Sequence, residues 1–363
     1  MNIVYCFCKK GEEGKGWARD ITAASDAMHR FVPFNQDGYL DLYTYWDAVQ
    51  LDRLYQKRDV RLMRLYADFE QLVRTTNASA MVVCDAPPFH PDYLAKLPIY
   101  RVLYSHDDPE STYQRNIPYL HAYHHVFYVS PAYTKDLDMG KKMHSCGMVN
   151  SDLVPNGVLG FDYDETLDEK AVFEKTRDVD ILFIGAFSWK KIDLLAGLKK
   201  AFGRRVLLRG YVRPKHNLYL TVRYWYPFWI TPVSFRERLS LHQRAKIVVN
   251  AHNGYSVPNL GNQRLFYGPA NGCMLLTDGH THLHYYYKAG EEAVAYRGVD
   301  ELITKCRYYL EHPEEREKIA RAGYNRVIRE YRFPEITRRS AELIREGMGA
   351  LRWDPAKHFR EDR

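Results

Sequence analysis

Two doubly wound α/β domains, each built on a mostly parallel sheet covered on both faces, are what this sequence predicts. Three observations carry that expectation. Short apolar runs alternate with longer helical patterns along nearly the whole chain. A polar stretch, Asp162–Asp178, interrupts the alternation, after which the same pattern restarts. The 363 residues also suit two domains at a soft ~150 residues each.

Asn2–Phe7 reads as the first strand, Gly11–Trp17 as a glycine-containing loop and Asp20–His29 as a helix, the opening unit of an α/β domain. The spacing of Gly11, Gly14 and Gly16 is not the dinucleotide fingerprint, so a redox cofactor gets no support. In Leu51–Arg74, the residues Leu62, Leu65, Tyr66, Phe69, Leu72 and Val73 recur at helical spacing. Ala80–Cys84 is the next strand and ends at Asp85. Tyr100–Tyr104 follows and runs into Ser105, His106, Asp107 and Asp108. His125–Val129 and Asp152–Pro155 are the last strands of this half.

The second half opens with a strand at Val179–Ile184, then Gly185, and a helix at Ile192–Phe202. Strands at Val206–Leu208, Ile247–Asn250, Cys273–Thr277 and Ala293–Tyr296 alternate with helices at Phe235–Arg244, Gly261–Asn271, Val299–Glu311 and Pro313–Tyr331. Pro313 stands where a missing amide proton costs nothing. A last helix, Pro334–Glu346, is placed to return to the first domain, and the charged tail after Leu351 is expected to fray.

Composition bounds the function. At 46% hydrophobic and 27% charged residues, global disorder is excluded. A net charge of +7 suits an acidic partner, whether a nucleoside diphosphate, an anionic polymer or a membrane surface; a solvated basic face explains it equally well. The six cysteines have no zinc spacing and read as free thiols in a reducing compartment. No signal peptide or apolar run of transmembrane length is present, so a cytoplasmic chain is expected, with peripheral contact at the inner face of a membrane left open.

The chemistry concentrates in Ile247–Arg329. A strand ends at Asn250, a loop follows, and a helix begins near Asn259, Leu260 and Gly261, whose free amides can hold an anion. Arg264, one turn in, can grip a diphosphate with two parallel bonds; a surface salt bridge is the plainer alternative. Thr277 and Asp278 end the next strand at the ligand-binding edge. Glu291 or Glu292, on the loop beyond, can accept both hydroxyls of a ribose, unless they are only solvated loop charge. Together these make a coherent nucleotide-sugar site. For Asn262, plain helix capping competes with ligand contact.

The segments "NxRLFxxxAxGCMLLTD" and "YYKAGEEAVAYRGVDELITKCRYYLEHPEEREKIARAGYNRV" resemble the C-terminal domain of the CgeB-like glycosyltransferases, a branch of the group 1-type, GT-B-fold enzymes. The resemblance is firmest over Ile247–Arg329 and extends, more weakly, to "RVLYSHDDPE", "VFYVSPAYTKDL", "DLVPNG" and "VDILFIGAF". It implies two Rossmann-like domains facing a central cleft, a donor site in the second and an acceptor site in the first. Arg264 matches the family's arginine near the diphosphate, Glu291 the ribose glutamate, with Glu292 as the alternative register, and Asn262 the polar residue opening the helix. Tyr267 departs from the pattern, standing where many relatives have glutamate.

The domains expected are 1–165 for the acceptor, 175–332 for the donor and 333–363 as a helix and tail bracing the first. The first domain should hold any general base: His106 and Asp107 are the catalytic candidates, ahead of Asp26 and His29, with Asp85 and Asp108 at the acceptor. Gly14 and Gly16 are candidates for the donor phosphates across the cleft. No metal-ligand spacing occurs, GT-B-type enzymes generally need no bound metal, and the co-substrate is a nucleotide-diphosphate sugar of unspecified base. A carbohydrate or lipid-linked acceptor is expected. Residues 211–232, basic and aromatic, suit a sugar platform, a peripheral membrane patch or a packed dimer or domain contact, and no nucleic-acid module accompanies them. His280, His282 and His284 alternate and would share a face if extended, as a zinc site needs, but the segment is read in preference as lining the donor pocket. The expected activity is transfer of a sugar to a hydroxyl. A non-catalytic nucleotide-sugar-binding assembly protein, or an epimerase or hydrolase on the same fold, are the alternatives.

Overall fold

The computed structural model describes residues 1–40, 48–85, 88–106, 116–134, 137–212, 214–224, 230–252, 261–278 and 282–351. It divides into two compact units, Met1–Leu159 with the segment from Phe333 onward, and Gly160–Arg332.

The first unit runs β1 (Asn2–Phe7), α1 (Gly11–Ala23), β2 (Arg30–Asn35), α2 (Ala48–Gln56), α3 (Val60–Thr76), β3 (Ala80–Cys84), α4 (Pro91–Leu94), β4 (Tyr100–Ser105), β5 (His125–Tyr128), α5 (Met139–Ser145) and β6 (Asn150–Leu153). Its six strands are all parallel, in the order β2-β1-β3-β4-β5-β6. Every carboxyl end therefore lies on one edge, where α/β folds bind ligands. Val4, Cys6, Met81, Val83, Leu103 and Val126 pack one face of the sheet against α3 and its neighbours.

Three local expectations are corrected here. The glycine segment is not a loop: Gly14 and Gly16 lie inside α1, whose first turn carries Glu12 and Glu13 at the positive end of the helix dipole. Gly14 is demanded by a close approach, since a Cβ there would sit 2.5 Å from the Lys9 carbonyl oxygen and 2.8 Å from Asn35 Nδ2. The helix ends at Ala23 rather than His29, and Arg30–Asn35 forms a strand the sequence did not suggest, because Pro33 argues against one. As the outer strand of the sheet, β2 tolerates that proline. Leu51–Arg74 is two helices, because the Asp59 side chain caps a new one by accepting from Arg61 N and Leu62 N at 3.0 and 3.2 Å.

The second unit runs α6 (Glu169–Glu174), β7 (Val179–Ile184), α7 (Trp189–Phe202), β8 (Val206–Arg209), α8 (Pro214–Tyr224), α9 (Phe235–Arg244), β9 (Ala245–Asn250), α10 (Arg264–Ala270), β10 (Met274–Thr277), β11 (Val294–Ala295), α11 (Val299–Glu311) and α12 (Pro313–Glu330). Its five parallel strands take the order β11-β10-β9-β7-β8. Ile181, Phe183, Ile247, Val249, Met274 and Leu276 share one core, and Leu182, Ile184 and Val248 pack the opposite face with Leu241. This alternation follows from the period-2 geometry of a strand. The unit begins at Gly160, ahead of the boundary read at 165. Asp162 explains why: it is buried, Arg238 reaches its carboxylate at 2.5 Å, and Asn271 Nδ2 donates to its carbonyl at 2.9 Å.

The last helix, α13 (Phe333–Ala350), belongs to the first unit. Phe333 is buried edge-on to Tyr5, centroids 5.9 Å apart, and 4.9 Å from Trp17. Arg338 donates to the Ala23 and Ala24 carbonyls, both at 3.3 Å, at the negative end of α1. Phe333→Ala is expected to destabilise this unit by roughly 3–5 kcal/mol, the cost of emptying a buried aromatic site. A thermal melt followed by calorimetry checks it.

Candidate functional site

At the carboxyl edge of the second sheet, Arg264 is the first residue of α10, not one turn in. Its Nε donates to Asn250 Oδ1 and its Nη2 to the Ala251 carbonyl, both at 3.2 Å. The guanidinium lies over Gly185, where a Cβ would come 3.2 Å from Nη1. Beyond Gly185 the chain turns into α7, and Lys191, 1% exposed, donates to the Ala186 carbonyl at 2.9 Å. Two cations thus flank the Gly185–Ala186 turn. Ser188, which precedes α7, makes no side-chain cap bond, and its Oγ is buried with no hydrogen-bond partner. Helix amides, an unused hydroxyl and two cations around one turn are what an anion such as a diphosphate requires.

A chain of side chains fixes Arg264. The Asn250 amide donates to Thr277 Oγ1 at 3.2 Å and to His252 Nε2 at 3.3 Å, so its oxygen is left to face Arg264. His252 is fully buried, and its Nδ1 pairs closely with the Asp278 carboxylate, which also accepts from the His252 amide at 3.1 and 3.2 Å. Tyr296 OH donates to the Asn250 carbonyl at 2.8 Å. Asp278 therefore sets the His252 tautomer, His252 orients Asn250, and Asn250 orients Arg264. Thr277 and Asp278 stand at the predicted edge, but Thr277 is fully buried and both are engaged in this support.

Other predicted donor residues are placed differently. Gly261 and Asn262 precede α10; Gln263 takes the cap position, and the Asn262 carbonyl accepts from Leu265 N at 3.1 Å. The structure does not bring Glu291 and Glu292 to Arg264. Val294 of β11 pairs with Leu276, so the glutamates lie where the chain enters that strand. Glu292 accepts from Lys288 N at 2.9 Å and faces Arg326 at 3.9 Å, whereas Glu291 is exposed. Tyr267 is a packing residue, with its OH donating to Gln263 Oε1 at 2.6 Å and Arg238 stacked 4.6 Å over its ring. His282 precedes and His284 lies within a short 3₁₀ turn, Leu283–Tyr285, and His280 lies outside the described residues.

At the carboxyl edge of the first sheet, Asp85 and His106 meet. Asp85 holds a left-handed backbone, φ +61°, unusual for aspartate, and its Oδ1 accepts from His106 N at 3.3 Å. The His106 ring lies 4.1 Å from Tyr104 and 5.8 Å from Trp17, and its Nε2 is buried with no hydrogen-bond partner. Burial, then the charge of Lys9, pushes its pKa down to about 3. A ring so hard to protonate is a weak base, and suits hydrogen bonding to a hydroxyl better than removal of its proton. Because the unfolded ring titrates near 6.5, stability is expected to fall as pH drops from about 6.5 toward 3, with a shallower slope in His106→Asn. Melts across that range check it. Asp107 and Asp108 lie outside the described residues. Gly14 and Gly16 are helical, and Lys15 between them is paired with Glu12 at 2.7 Å in solvent. Asp26 accepts from the Met28 and His29 amides, both at 2.8 Å, and has a turn-forming role near Arg338. Among the described residues, no group of three or more His, Cys, Asp or Glu is placed to hold a metal, and no helix is long and apolar enough to cross a membrane.

Residues 191–342 match the family described as "Glycosyl transferase-like". The chain is similar to a solved glycosyltransferase from Rickettsia africae ESF-5, with TM-score 0.62 and 12% identity over 96% of this chain and 98% of that one. The chain has the GT-B fold. Anabaena Alr3699/HepE, solved with UDP, superposes on this GT-B chain with TM-score 0.60 and 11% identity, over 95% of this chain and 100% of that one. A putative UDP-N-acetylglucosamine 2-epimerase from Listeria monocytogenes gives 0.57 and 11%, over 98% of each chain. No curated protein matches the sequence. The family match covers less than half of the chain and lies mostly in the second unit.

Sequence reasoning missed Gly185, Ser188, Lys191, Asn250 and His252 as site residues. The signal available was positional: Gly185 directly follows a strand, and a lysine pair opens the next helix.

Proposed function

We propose that this chain transfers a sugar from a nucleoside diphosphate to a hydroxyl acceptor, and that the donor diphosphate binds the Gly185–Ala186 turn between Arg264 and Lys191. One observation carries the reading: two positioned cations share that turn with the opening of α7 at the carboxyl edge of a parallel sheet. As the glycosidic bond breaks, negative charge grows on the departing diphosphate. Donors already fixed in place stabilise that charge without reorganising. Asp85 and His106 are the acceptor-side candidates. The chain belongs, in this reading, to the CgeB-like branch. Its six free cysteines fit a reducing cytoplasm.

The test is a panel of UDP-, GDP-, dTDP-, ADP- and CMP-linked sugars, with binding followed by calorimetry and products by mass spectrometry. UDP donors come first, because the Anabaena relative was solved with UDP. A donor that binds and gives up its sugar to a hydroxyl supports transfer. No binding across the panel sinks the reading in favour of an assembly protein. The epimerase-like neighbour gives a second reading its own signature, an isomerised nucleotide sugar formed without any acceptor.

A further inference from the structure

The basic and aromatic stretch 211–232 supplies none of the side chains proposed above to hold the donor. Its described portion forms α8, on which Leu218, Tyr219 and Val222 are 68%, 42% and 63% exposed. At i, i+1 and i+4 they share one side of the helix. Tyr211, just ahead of α8, is 63% exposed. Large apolar side chains gathered on one helix face in water mark a contact surface.

The surrounding charge says what kind. Residues 194–236 contain nine lysines and arginines and no aspartate or glutamate. With +7 for the whole chain and +9 for this stretch, the remainder carries −2. Lys200, Arg204, Arg205, Arg223 and Arg236 are exposed. The stretch spans the end of α7, the outer strand β8 and all of α8, so charge and apolar face occupy the same margin of the second sheet. A second copy of the chain fits poorly, because a symmetric contact would set two such acid-free stretches against each other.

We propose that α8 docks the protein on an anionic lipid surface. Leu218, Tyr219 and Val222 enter the boundary between headgroups and acyl chains, and the neighbouring basic residues meet the lipid phosphates. Neither term suffices alone: a few apolar side chains bind weakly, and charge without insertion is screened away by salt. This inference stands independently of the donor site.

Flotation of the full-length protein with phosphatidylcholine vesicles, with and without phosphatidylglycerol, tests it. Expected is partitioning at least about 10-fold stronger into the anionic vesicles, reversed by high salt. Leu218→Asn with Val222→Asn should lower it by about 10-fold or more while leaving the melting temperature and nucleotide binding unchanged. Failure to bind anionic vesicles overturns the proposal, as does binding indifferent to the double substitution. A dimer seen by sedimentation velocity and abolished by the same substitutions also overturns it, and assigns the face to self-association.

Discussion

Gly210→Ala is expected to cost more than about 4 kcal/mol and to take nucleotide binding down with the fold of the second unit. Gly210 directly follows β8 with φ +134°, a backbone L side chains rarely adopt, and a Cβ there would lie 1.9 Å from the Gly185 carbonyl oxygen and 2.8 Å from the Gly185 nitrogen. Those are backbone atoms, so no rotamer change relieves the clash. The two glycines sit in a tight pairing: Gly185 N donates to the Arg209 carbonyl at 3.1 Å, and Gly210 N to the Thr231 carbonyl at 2.9 Å. Relief would have to separate the ends of β7 and β8, and the displaced segment is the turn between Arg264 and Lys191. Soluble yield and melting temperature measure the first effect, and nucleotide titration of any folded fraction the second. Gly349→Ala is the matched control, because that glycine is exposed in α13 with nothing near its α-carbon. It should be neutral or stabilising by about 0.5–1 kcal/mol. A folded, nucleotide-binding Gly210→Ala protein would show that the close approach is not structural.

The same contacts explain what was legible in the sequence. Strands such as Ala80–Cys84 and Val179–Ile184 could be read because β-branched and apolar runs report burial locally. β2 could not, because Pro33 is compatible with a strand only at an edge, and edge position is a property of the sheet. Gly14 resembles a turn glycine until Lys9 and Asn35 are seen against it. At the site, Arg264 was readable from the strand–loop–helix around it. Lys191 was not: adjacent lysines at a helix start look like solvated charge, and only the folded α7 buries the second. His252 and Asp278 are far apart in sequence and become partners only where β9 and β10 end side by side. Glu291 shows the converse. The sequence shows a carboxylate ahead of a strand, but not that β11 is two residues long or that this carboxylate points into solvent.

Arg264→Ala is expected to weaken binding of the donor's free nucleoside diphosphate by on the order of 100-fold, about 3 kcal/mol, while leaving the corresponding nucleoside nearly unaffected. The estimate is two hydrogen bonds between a guanidinium and an anion, each worth about 1.5 kcal/mol at the lower end for charged groups. The nucleoside comparison locates the loss, because a general collapse of the pocket would weaken both ligands alike. Arg264→Lys should recover only part of the affinity. It keeps a charge but loses the planar fork, and it has no Nε–H aligned with Asn250 Oδ1. Gly185→Ala should lie between the two: its Cβ would meet Arg264 Nη1 at 3.2 Å and Cδ at 3.3 Å, flexible atoms that can yield, so the fold survives but the guanidinium is pushed off the turn. Glu291→Gln should change little, since that carboxylate is exposed on the side where the chain enters β11. Equal losses for nucleoside and diphosphate in Arg264→Ala would remove the diphosphate from this turn, and a large loss in Glu291→Gln would return the glutamate to the ribose.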